Sequence, residues 1–332
     1  MLHGSVSRLA LSTWLAFGLG ASTIISTPAQ AAELEKVIYL LPSIPSLPAF
    51  APWMLAKQKG YFKEEGLEVE FQTAQGGVEV AKQVGLGNAP IGGAIGDTPI
   101  IVRANGIPVK AVAVLGNGSL MQLVTNEDSP YKEPKDLKGK KISVMAYQDT
   151  TFYSLLGMLA SAGLTKNDVE AQAAGPANVW KLFMSGDVDA MAAVPDWIGL
   201  VQASGKKVNI IPSGKYFPSM AQAIIASDKI IQEKPELVKK LVKATLKGMK
   251  DIMDDPEKAT VDYVAAVPEH KGKEATITNT FKLYNEYVYG KPEQLGAMDP
   301  ERLEKVQKFY LDQDIIKKAS DVKDLYSNDF IK

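Results

Sequence analysis

The chain has 332 residues with 37 basic and 38 acidic side chains, so it lacks the basic excess that binding to nucleic acid or to an anionic membrane requires. Cysteine is absent, which excludes disulfides, thiolate metal sites, a cysteine nucleophile and a lipidated N-terminal cysteine. Histidine occurs only as His3 and as His270, in a polar stretch that predicts a surface loop, so general-base catalysis and transition-metal binding are poorly provided for. We therefore expect no cofactor and no metal.

The first 31 residues predict a cleaved export signal. Arg8 ends a short basic start, and residues 9–20 form an apolar run that is too short to span a bilayer with margin. Ala29-Gln30-Ala31 then supplies the small residues that a signal peptidase needs. An uncleaved anchor is disfavoured because Pro28 ends the run and no stop-transfer charges follow. We expect the mature protein to begin after Ala31 and to lie in the periplasm.

From Lys36 onward, short β-rich runs alternate with longer helical ones, which is the pattern of an α/β fold on a mostly parallel sheet. The first predicted strands are 37–41, 67–71, 90–95 and 109–115. A second set of strands is predicted at 120–125, 141–145, 168–173, 188–194 and 208–211, with helices at 150–162, 177–184 and 196–203. The C-terminal third is predicted to be helical. Its clearest helix runs from Leu237 to Met253, with lysines on the solvated face.

Ligands of doubly wound sheets bind where strand ends meet helix N-termini, because unpaired N–H groups and the helix dipole point there. Five loop-to-helix turns of the sequence have the small, capping or aromatic residues that such a place favours. They are residues 42–50, 74–79, 96–99, 146–153 and 195–197.

Most candidates in these turns have a structural explanation beside the functional one. Thr150 and Thr151 are explained by helix capping as well as by ligand contact, and Asp97 is better explained as an N-cap before Thr98-Pro99. Gly76 and Gly77 favour close approach of a ligand but also fit a plain turn.

The aromatic candidates divide in the same way. Tyr147 precedes the cap of its helix and is predicted to face a cleft, whereas Tyr153 fits a core position equally well. Asp196-Trp197 follows a strand end, where ligand contact and core packing are both open, and the same two options hold for Trp53. Trp180 is predicted to lie in the core.

Arginine is scarce, because only Arg103 and Arg302 occur outside the predicted signal. A guanidinium clamp on a carboxylate or phosphate therefore has just two candidates, and Arg103 fits a surface position. An anionic ligand would have to be held by backbone N–H groups, hydroxyls or lysines.

The stretch from Pro48 to Val69 resembles the opening of the NMT1/THI5-like class of periplasmic solute-binding proteins of ABC transporters, a class for nitrate, sulfonates, taurine and pyrimidine precursors. The resemblance continues at residues 96–99, 134–142 and 185–190 and covers nearly the whole mature chain. It implies a type II periplasmic binding protein, with two lobes of mostly parallel sheet flanked by helices, two crossover hinge strands and a ligand between the lobes.

The resemblance also implies where the lobes and the cleft lie. Lobe I would consist of residues 33–119 plus 221–332, and lobe II of residues 120–220. The cleft positions of the class correspond to Ser46, Leu47, Pro48, Gly76, Gly77, Asp97, Thr98, Thr150 and Thr151. This chain adds an unusually aromatic set, Phe50, Tyr147, Phe152, Tyr153 and Trp197, which favours an aromatic or heteroaromatic ligand over nitrate.

The function implied is that of the extracytoplasmic solute-binding component of an ABC importer, which is not an enzyme. Its partners would be a small-molecule ligand, such as an aryl carboxylate, a sulfonate or a pyrimidine-like compound, and the permease in the inner membrane. No nucleic acid is expected, and the protein is predicted to be a monomer. Two alternatives are a pyrimidine-precursor synthase, whose relatives rely on cysteine and histidine residues that are lacking here, and a ligand-presenting sensor subunit that contacts a receptor.

Overall fold

The computed structural model describes residues 33–147 and 149–332, so the predicted export signal, residues 1–31, lies outside the described residues. The strands are β1 (Glu35–Leu41), β2 (Leu67–Thr73), β3 (Ile91–Ile95), β4 (Val109–Val114), β5 (Gln122–Asn126), β6 (Lys141–Val144), β7 (Glu170–Ala173), β8 (Ala190–Ala193), β9 (Val208–Pro212) and β10 (Gln222–Ser227). The α-helices are α1 (Ala51–Gln58), α2 (Tyr61–Glu64), α3 (Gly77–Gly85), α4 (Thr98–Arg103), α5 (Thr150–Ser161), α6 (Val179–Ser185), α7 (Pro195–Ala203), α8 (Asp228–Glu233), α9 (Pro235–Asp254), α10 (Pro256–Ala266), α11 (Glu274–Tyr284), α12 (Pro300–Asp312) and α13 (Val322–Leu325).

The strands form two five-stranded sheets, in the orders β2-β1-β3-β10-β4 and β7-β6-β8-β5-β9. In the first sheet, β1 pairs parallel with β2 and β3, whereas β10 runs antiparallel to β3 and β4. In the second sheet, β6 pairs parallel with β7 and β8, whereas β5 runs antiparallel to β8 and β9. Four strands of each sheet therefore point the same way, which confirms the predicted mostly parallel α/β fold.

Strand β10 was not predicted from the sequence, in which the last expected strand was 208–211. All the residues of β10 are buried, and the strand lies between β3 and β4. A strand buried on both faces reads as a continuous apolar run, and a run as short as residues 223–226 has no periodicity that separates it from a buried loop. Its position in the sheet is set by pairing with strands that are more than a hundred residues away.

Two chain crossings join the sheets, residues 115–121 after β4 and residues 213–221 after β9. Hydrogen bonds hold the crossings side by side, since Ser119 Oγ donates to the Ser219 carbonyl at 2.6 Å. The guanidinium of Arg302, on α12, donates to carbonyl oxygens of both crossings. The crossings therefore form one hydrogen-bonded unit between the sheets, where a hinge of this architecture is expected.

The C-terminal helices contact both halves of the molecule. Helix α9 buries the predicted apolar face from Leu237 to Met249 and packs against α1, beside the first sheet. Helix α11 packs against α7, and its Leu283 joins an apolar cluster of the second sheet that includes Phe183 and Ile198. Residues that follow the second crossing therefore help to build the core of the second half.

The lobe boundaries stay a prediction. Strands β1 to β4 and β10 belong to the first sheet, and strands β5 to β9 belong to the second. The chain therefore passes from one sheet to the other at the two crossings, as a division near residues 120 and 220 requires. Residues 34–332 nevertheless pack as one compact unit, and the contact of α11 with α7 is one physical reason for this.

A candidate ligand-binding cavity between the sheets

A cavity of about 450 Å³ lies where the carboxyl ends of strands from both sheets meet. Its wall includes Pro42 after β1, Ile95 at the end of β3, Met145 after β6 and Val194 after β8. Ligand sites of α/β proteins are found at such strand ends, and small-molecule pockets have volumes of roughly 300–1,000 Å³. The position and the size of the cavity are both those of a ligand site.

The structure brings residues from four of the five predicted turns into the wall of this cavity. These residues come from both sides of the first crossing and lie up to 150 positions apart in the sequence. The predicted site residues that line the cavity are Leu47, Pro48, Phe50, Gly76, Gly77, Thr150, Thr151, Asp196 and Trp197.

Two residues of the remaining turn, Asp97 and Thr98, lie outside the cavity wall. Both are fully buried. The Asp97 side chain makes no cap hydrogen bond and instead accepts from the Tyr310 hydroxyl at 2.9 Å. Thr98 Oγ1 accepts from the Ile95 backbone N–H at 3.2 Å. The side chains of Asp97 and Thr98 therefore form hydrogen bonds with other parts of the protein, on the side of the first sheet.

Ser46, Tyr147 and Phe152 also lie outside the wall. The carbonyl of Ser46 accepts from the Tyr263 hydroxyl at 2.6 Å. Tyr147 is exposed, with 53% of its surface accessible, and its ring packs edge-on against the buried Phe152. Its hydroxyl donates to a carbonyl of β7 at 3.0 Å, so it faces away from the predicted cleft.

Two residues that line the cavity were not predicted to do so. Trp180 was predicted to lie in the core; it packs against the apolar cluster of the second sheet, but it is only half-buried and also lines the cavity, because α6 begins at the cavity edge. His270 was predicted in a surface loop, but it is half-buried, its Nε2 lies 2.7 Å from the Ser46 carbonyl, and its ring stacks on Tyr263. His270 reaches the cavity wall because the C-terminal helices fold onto the turn that contains Ser46. No local sequence pattern predicts this position.

The wall residues that were not singled out in the sequence include three with polar side chains, Asp149, Gln222 and Tyr284. Tyr284 lies more than sixty positions after the second crossing, so no spacing in the sequence relates it to the strand ends. Gln222 belongs to the strand that was not predicted. A search for polar residues inside otherwise apolar runs is the signal that would have found Gln222.

A glycine pair gives the first half of the wall a bare backbone. Gly76 has φ of +86° and ψ of 166°, a conformation that side chains other than glycine rarely adopt. A Cβ atom on Gly77 would lie 3.3 Å from Cα of Ala94 on β3. The positive φ of Gly76 and the close packing of Gly77 on β3 therefore favour glycine at both positions.

Aromatic rings supply much of the remaining wall. Trp53, Trp180 and Trp197 are the only tryptophans among the described residues, and all three line the cavity together with Phe50. The Phe50 and Trp53 rings pack edge to face with centroids 6.0 Å apart. A wall of this kind favours a flat apolar ligand, because aromatic rings pack well against other rings.

Asp149 places a carboxylate at the start of α5. Its Oδ1 accepts from the Thr151 backbone N–H at 2.9 Å and from the Thr151 hydroxyl. Burial raises the pKa of Asp149, although these hydrogen bonds oppose the shift. The helix N-terminus that the sequence analysis offered to a ligand is thus already capped by a side chain of the chain itself.

Asp196 places a second carboxylate at the start of α7. Its Oδ2 accepts from the hydroxyl of Tyr284, on α11, at 3.0 Å. Burial raises the pKa of Asp196 to about 7, while the hydrogen bonds from Tyr284 and from the Ala49 backbone act in the opposite direction. This contact joins the second sheet's half of the wall to the C-terminal helices.

A family model described as NMT1/THI5 like matches residues 47–259 of the chain. The chain belongs to this family. Among solved structures, the periplasmic aliphatic sulphonate binding protein SsuA from Escherichia coli matches this NMT1/THI5-like protein with a TM-score of 0.70 at 16% identity. The match covers 88% of this chain and 91% of that chain, and it confirms the predicted fold of a type II periplasmic binding protein.

Two curated relatives of this NMT1/THI5-like chain carry different functions in their names. The riboflavin-binding protein RibY of Chloroflexus aurantiacus is 26% identical over 251 residues, which are 75% of this chain and 71% of the relative. The 4-amino-5-hydroxymethyl-2-methylpyrimidine phosphate synthase of Aspergillus parasiticus is 27% identical over 244 residues, which are 67% of this chain and 68% of the relative. The relatives of this chain thus include a protein named for binding and one named for synthesis.

Proposed function

We propose that this protein is the extracytoplasmic solute-binding component of an ABC importer, and that it holds a flat aromatic or heteroaromatic compound between its two lobes. The observation that carries the proposal is the cavity of about 450 Å³, lined from both sheets and by three tryptophans. Most of the lining surface is apolar, so burial of a ring there is favourable by roughly 25 cal/mol per Å². The relative named as a riboflavin-binding protein and the sulphonate-binding structural neighbour support a binding role.

The proposed binding residues are those of the predicted set that line the cavity, together with Trp53, Trp180, Gln222 and Tyr284. Release would follow from rotation of the lobes about the two crossings that Arg302 ties together. Among the described residues no helix is long and apolar enough to cross a membrane. We infer a monomer in the periplasm that hands its ligand to a permease of the inner membrane.

A synthase activity like the one named in the Aspergillus relative is the competing function. The chain has no cysteine, and its histidine at the cavity, His270, is engaged with the Ser46 carbonyl and stacked on Tyr263. The cavity wall therefore offers no thiol nucleophile, and the Nε2 of its imidazole is already held by a carbonyl of the protein. The binding role is therefore the function that the site supports best.

The test is a ligand panel with tryptophan fluorescence as the reporter, since every tryptophan of the described residues lines the cavity. The panel contains riboflavin, 4-amino-2-methylpyrimidine, benzoate, naphthalene-2-sulfonate and nitrate. We expect at least one aromatic member, and not nitrate, to change the fluorescence and to raise the melting temperature, because the ligand binds only the folded protein.

Two variants make this test specific to the cavity. Trp180→Ala removes a ring from the wall and should weaken binding of the aromatic ligand about tenfold, in line with roughly 0.5–1.5 kcal/mol for an aromatic pair plus its lost burial. Tyr147→Ala removes an exposed ring outside the wall and should leave affinity unchanged within twofold. Chemical turnover of any panel member would contradict a purely binding function, and equal effects of the two variants would contradict this cavity as the site.

A further inference from the structure

Helix α11 lies between the two halves of the molecule, and one of its faces is fixed to the helices beside the first sheet. Thr278 Oγ1 donates to Thr260 Oγ1 of α10 at 2.9 Å. The ring of Phe281 packs edge to face with that of Tyr263, also on α10, with centroids 5.5 Å apart. The side chain of Asn285, directly after α11, donates to a carbonyl of α9 at 2.9 Å. These contacts hold α11 to the first half, to which it also belongs by its position after the second crossing.

The opposite face of α11 packs against α7, which follows β8 of the second sheet. Asn279 Nδ2 donates to Gln202 Oε1 at 2.7 Å, and the Tyr284 hydroxyl donates to Asp196 Oδ2 at 3.0 Å. Leu283 is buried in the apolar cluster of the second sheet. The two helices therefore form a packed interface between elements on different sides of the crossings.

A glycine of α7 lets the two helices approach closely. Gly199 lies inside α7 and is buried. A methyl group in its place would collide with Thr280 Oγ1 of α11, and its Cβ would lie 3.4 Å from the Thr280 Cβ. Glycine weakens a helix relative to alanine, so a buried glycine inside α7 has a packing reason, and the close contact with α11 supplies it.

This interface continues the wall of the cavity outward. Asp196 and Thr280 line the cavity, whereas Gln202 and Asn279 lie outside its wall. Helices α7 and α11 contribute to the wall from different halves, so a hinge motion about the crossings that opens this side of the cavity pulls them apart. The hydrogen bond between Gln202 and Asn279 is then lost although neither side chain meets the ligand.

We propose that the face between α7 and α11 is a latch: opening of the cavity separates these helices, and the contacts of Gly199 with Thr280 and of Gln202 with Asn279 set how much of the protein is closed before a ligand binds. The affinity for a ligand held by the closed form scales with the closed fraction, so the latch tunes affinity from outside the cavity. This inference rests on the proposed function. It adds Gly199, Gln202 and Asn279 as positioning residues that act through closure of the lobes.

The first experiment needs no ligand. Gln75 and Asn178 are exposed, and each is next to a residue of the cavity wall, one in each half. Because the chain has no cysteine, Gln75→Cys with Asn178→Cys gives a unique pair of spin labels, whose separation is measured by pulsed electron paramagnetic resonance. Gly199→Ala pushes α7 away from Thr280 and should raise the ratio of the longer to the shorter label distance at least about threefold. Alanine favours the helix itself, so the expected change is opening and not unfolding.

Three further variants separate the latch from general destabilisation. Gly199→Ala combined with Thr280→Ala removes the hydroxyl that the new methyl group meets, and should restore the wild-type distances. Gln202→Ala removes the hydrogen bond across the latch and should raise the ratio about fivefold. Thr278→Ala removes a hydrogen bond of the same helix within the first half. It is the matched control and should leave the label distances unchanged, whatever its effect on the melting temperature.

A disulfide across the latch tests whether α7 and α11 must separate during ligand exchange. The distance of 3.4 Å between the two Cβ positions at Gly199 and Thr280 is close to the roughly 3.5–4.5 Å of a disulfide. We expect Gly199→Cys with Thr280→Cys to form this bond on oxidation with diamide. The probes are riboflavin, 4-amino-2-methylpyrimidine, benzoate and naphthalene-2-sulfonate. Each probe that binds the reduced form should exchange at least about a hundredfold more slowly in the oxidised form, and dithiothreitol should reverse this.

The outcomes separate the latch from the proposed function. Equal label distances in the wild type, Gly199→Ala and Gln202→Ala overturn the latch and leave a solute-binding protein. Equally fast exchange in the oxidised and the reduced cysteine pair also overturns it, because α11 would then move together with α7. If neither the wild type nor the reduced pair binds any probe, the proposed function fails, and the label distances still decide whether α7 and α11 separate.

Discussion

Two buried aspartates occupy similar places in the two halves of the molecule. Asp97 follows β3 in the first sheet and Asp196 follows β8 in the second. Each accepts a hydrogen bond from a tyrosine of the C-terminal helices, Tyr310 at 2.9 Å and Tyr284 at 3.0 Å. Burial raises the pKa of Asp97 to about 6 and that of Asp196 to about 7.

The difference between the two aspartates is their position relative to the cavity. Asp196 lines it and Asp97 does not, although each has an unpaired buried oxygen. A buried carboxyl with a raised pKa is therefore not by itself a sign of a ligand site in this protein. The cavity, rather than a raised pKa, decides which of the two carboxyls can contact a ligand.

The largest expected effect is on the pH dependence of stability. Both carboxyls hold their protons in the folded state to a pH above the usual value of about 3.9, so the folded protein binds more protons than the unfolded chain between about pH 4 and pH 7. Their contribution is complete below about pH 4 and is lost as the pH rises through about 6 and 7. We expect the free energy of unfolding to fall by on the order of 3 kcal/mol from pH 5 to pH 8.

Urea denaturation of the ligand-free protein at several pH values measures this loss. Asp97→Asn should remove the part of the loss that ends near pH 6, and Asp196→Asn the part that continues to about pH 7. Stability that rises between pH 5 and pH 8, or a profile that neither variant alters, would show that the two carboxyls are ionised throughout and would break the comparison.

A smaller effect is expected at the tyrosine outside the cavity. Tyr310→Phe leaves Asp97 without its side-chain partner in a fully buried place, which should cost about 2 kcal/mol of unfolding free energy. Ligand affinity should stay within twofold, because neither residue lines the cavity. Calorimetric melting and a ligand titration on the same sample test both statements, and a selective loss of affinity would place Asp97 in the binding site after all.

The smallest effect is expected at the matching tyrosine of the cavity. Tyr284→Phe keeps the ring in the wall but removes the hydroxyl that links α11 to Asp196 at the start of α7. We expect affinity for the aromatic ligand to fall about fivefold, since a hydrogen bond of this kind contributes roughly 1 kcal/mol. Titration of Tyr284→Phe beside Tyr310→Phe measures the contrast. Equal affinities for the two variants would mean that the link to Asp196 does not support binding.

Local patterns were sufficient for most of the fold. Residues 141–145 and 150–162 were predicted as a strand and a helix, and β6 and α5 lie there with ends shifted by one residue. The glycine pair at residues 76–77 marked the start of α3 for the same reason, because a turn that needs positive φ is visible in the sequence. Periodicity and turn chemistry are local properties, so the sequence reports them directly.

The candidate site could be predicted only in part. The turns at strand ends were identifiable, and four of the five contribute to the cavity, because the carboxyl ends of parallel strands meet at one edge of a sheet. Asp97 and Tyr147 lie in predicted turns, but their side chains do not line the cavity. Whether a side chain at the right turn faces the cavity, another helix or solvent depends on the helices that pack over the turn, which no spacing encodes.

The sequence by itself determined the α/β class, the family resemblance, the lack of cysteine chemistry and the strand ends at which a ligand site is expected. Tertiary structure alone decided that Gln222 lies in a reversed strand beside the cavity, that Trp180 lines the cavity at the edge of the core, and that Tyr284 reaches Asp196. The physical reason is the range of the interactions. Turns and helices are fixed by neighbours in the chain, whereas the wall of this cavity is closed by contacts between distant residues, such as that of His270 with Ser46, 224 positions apart.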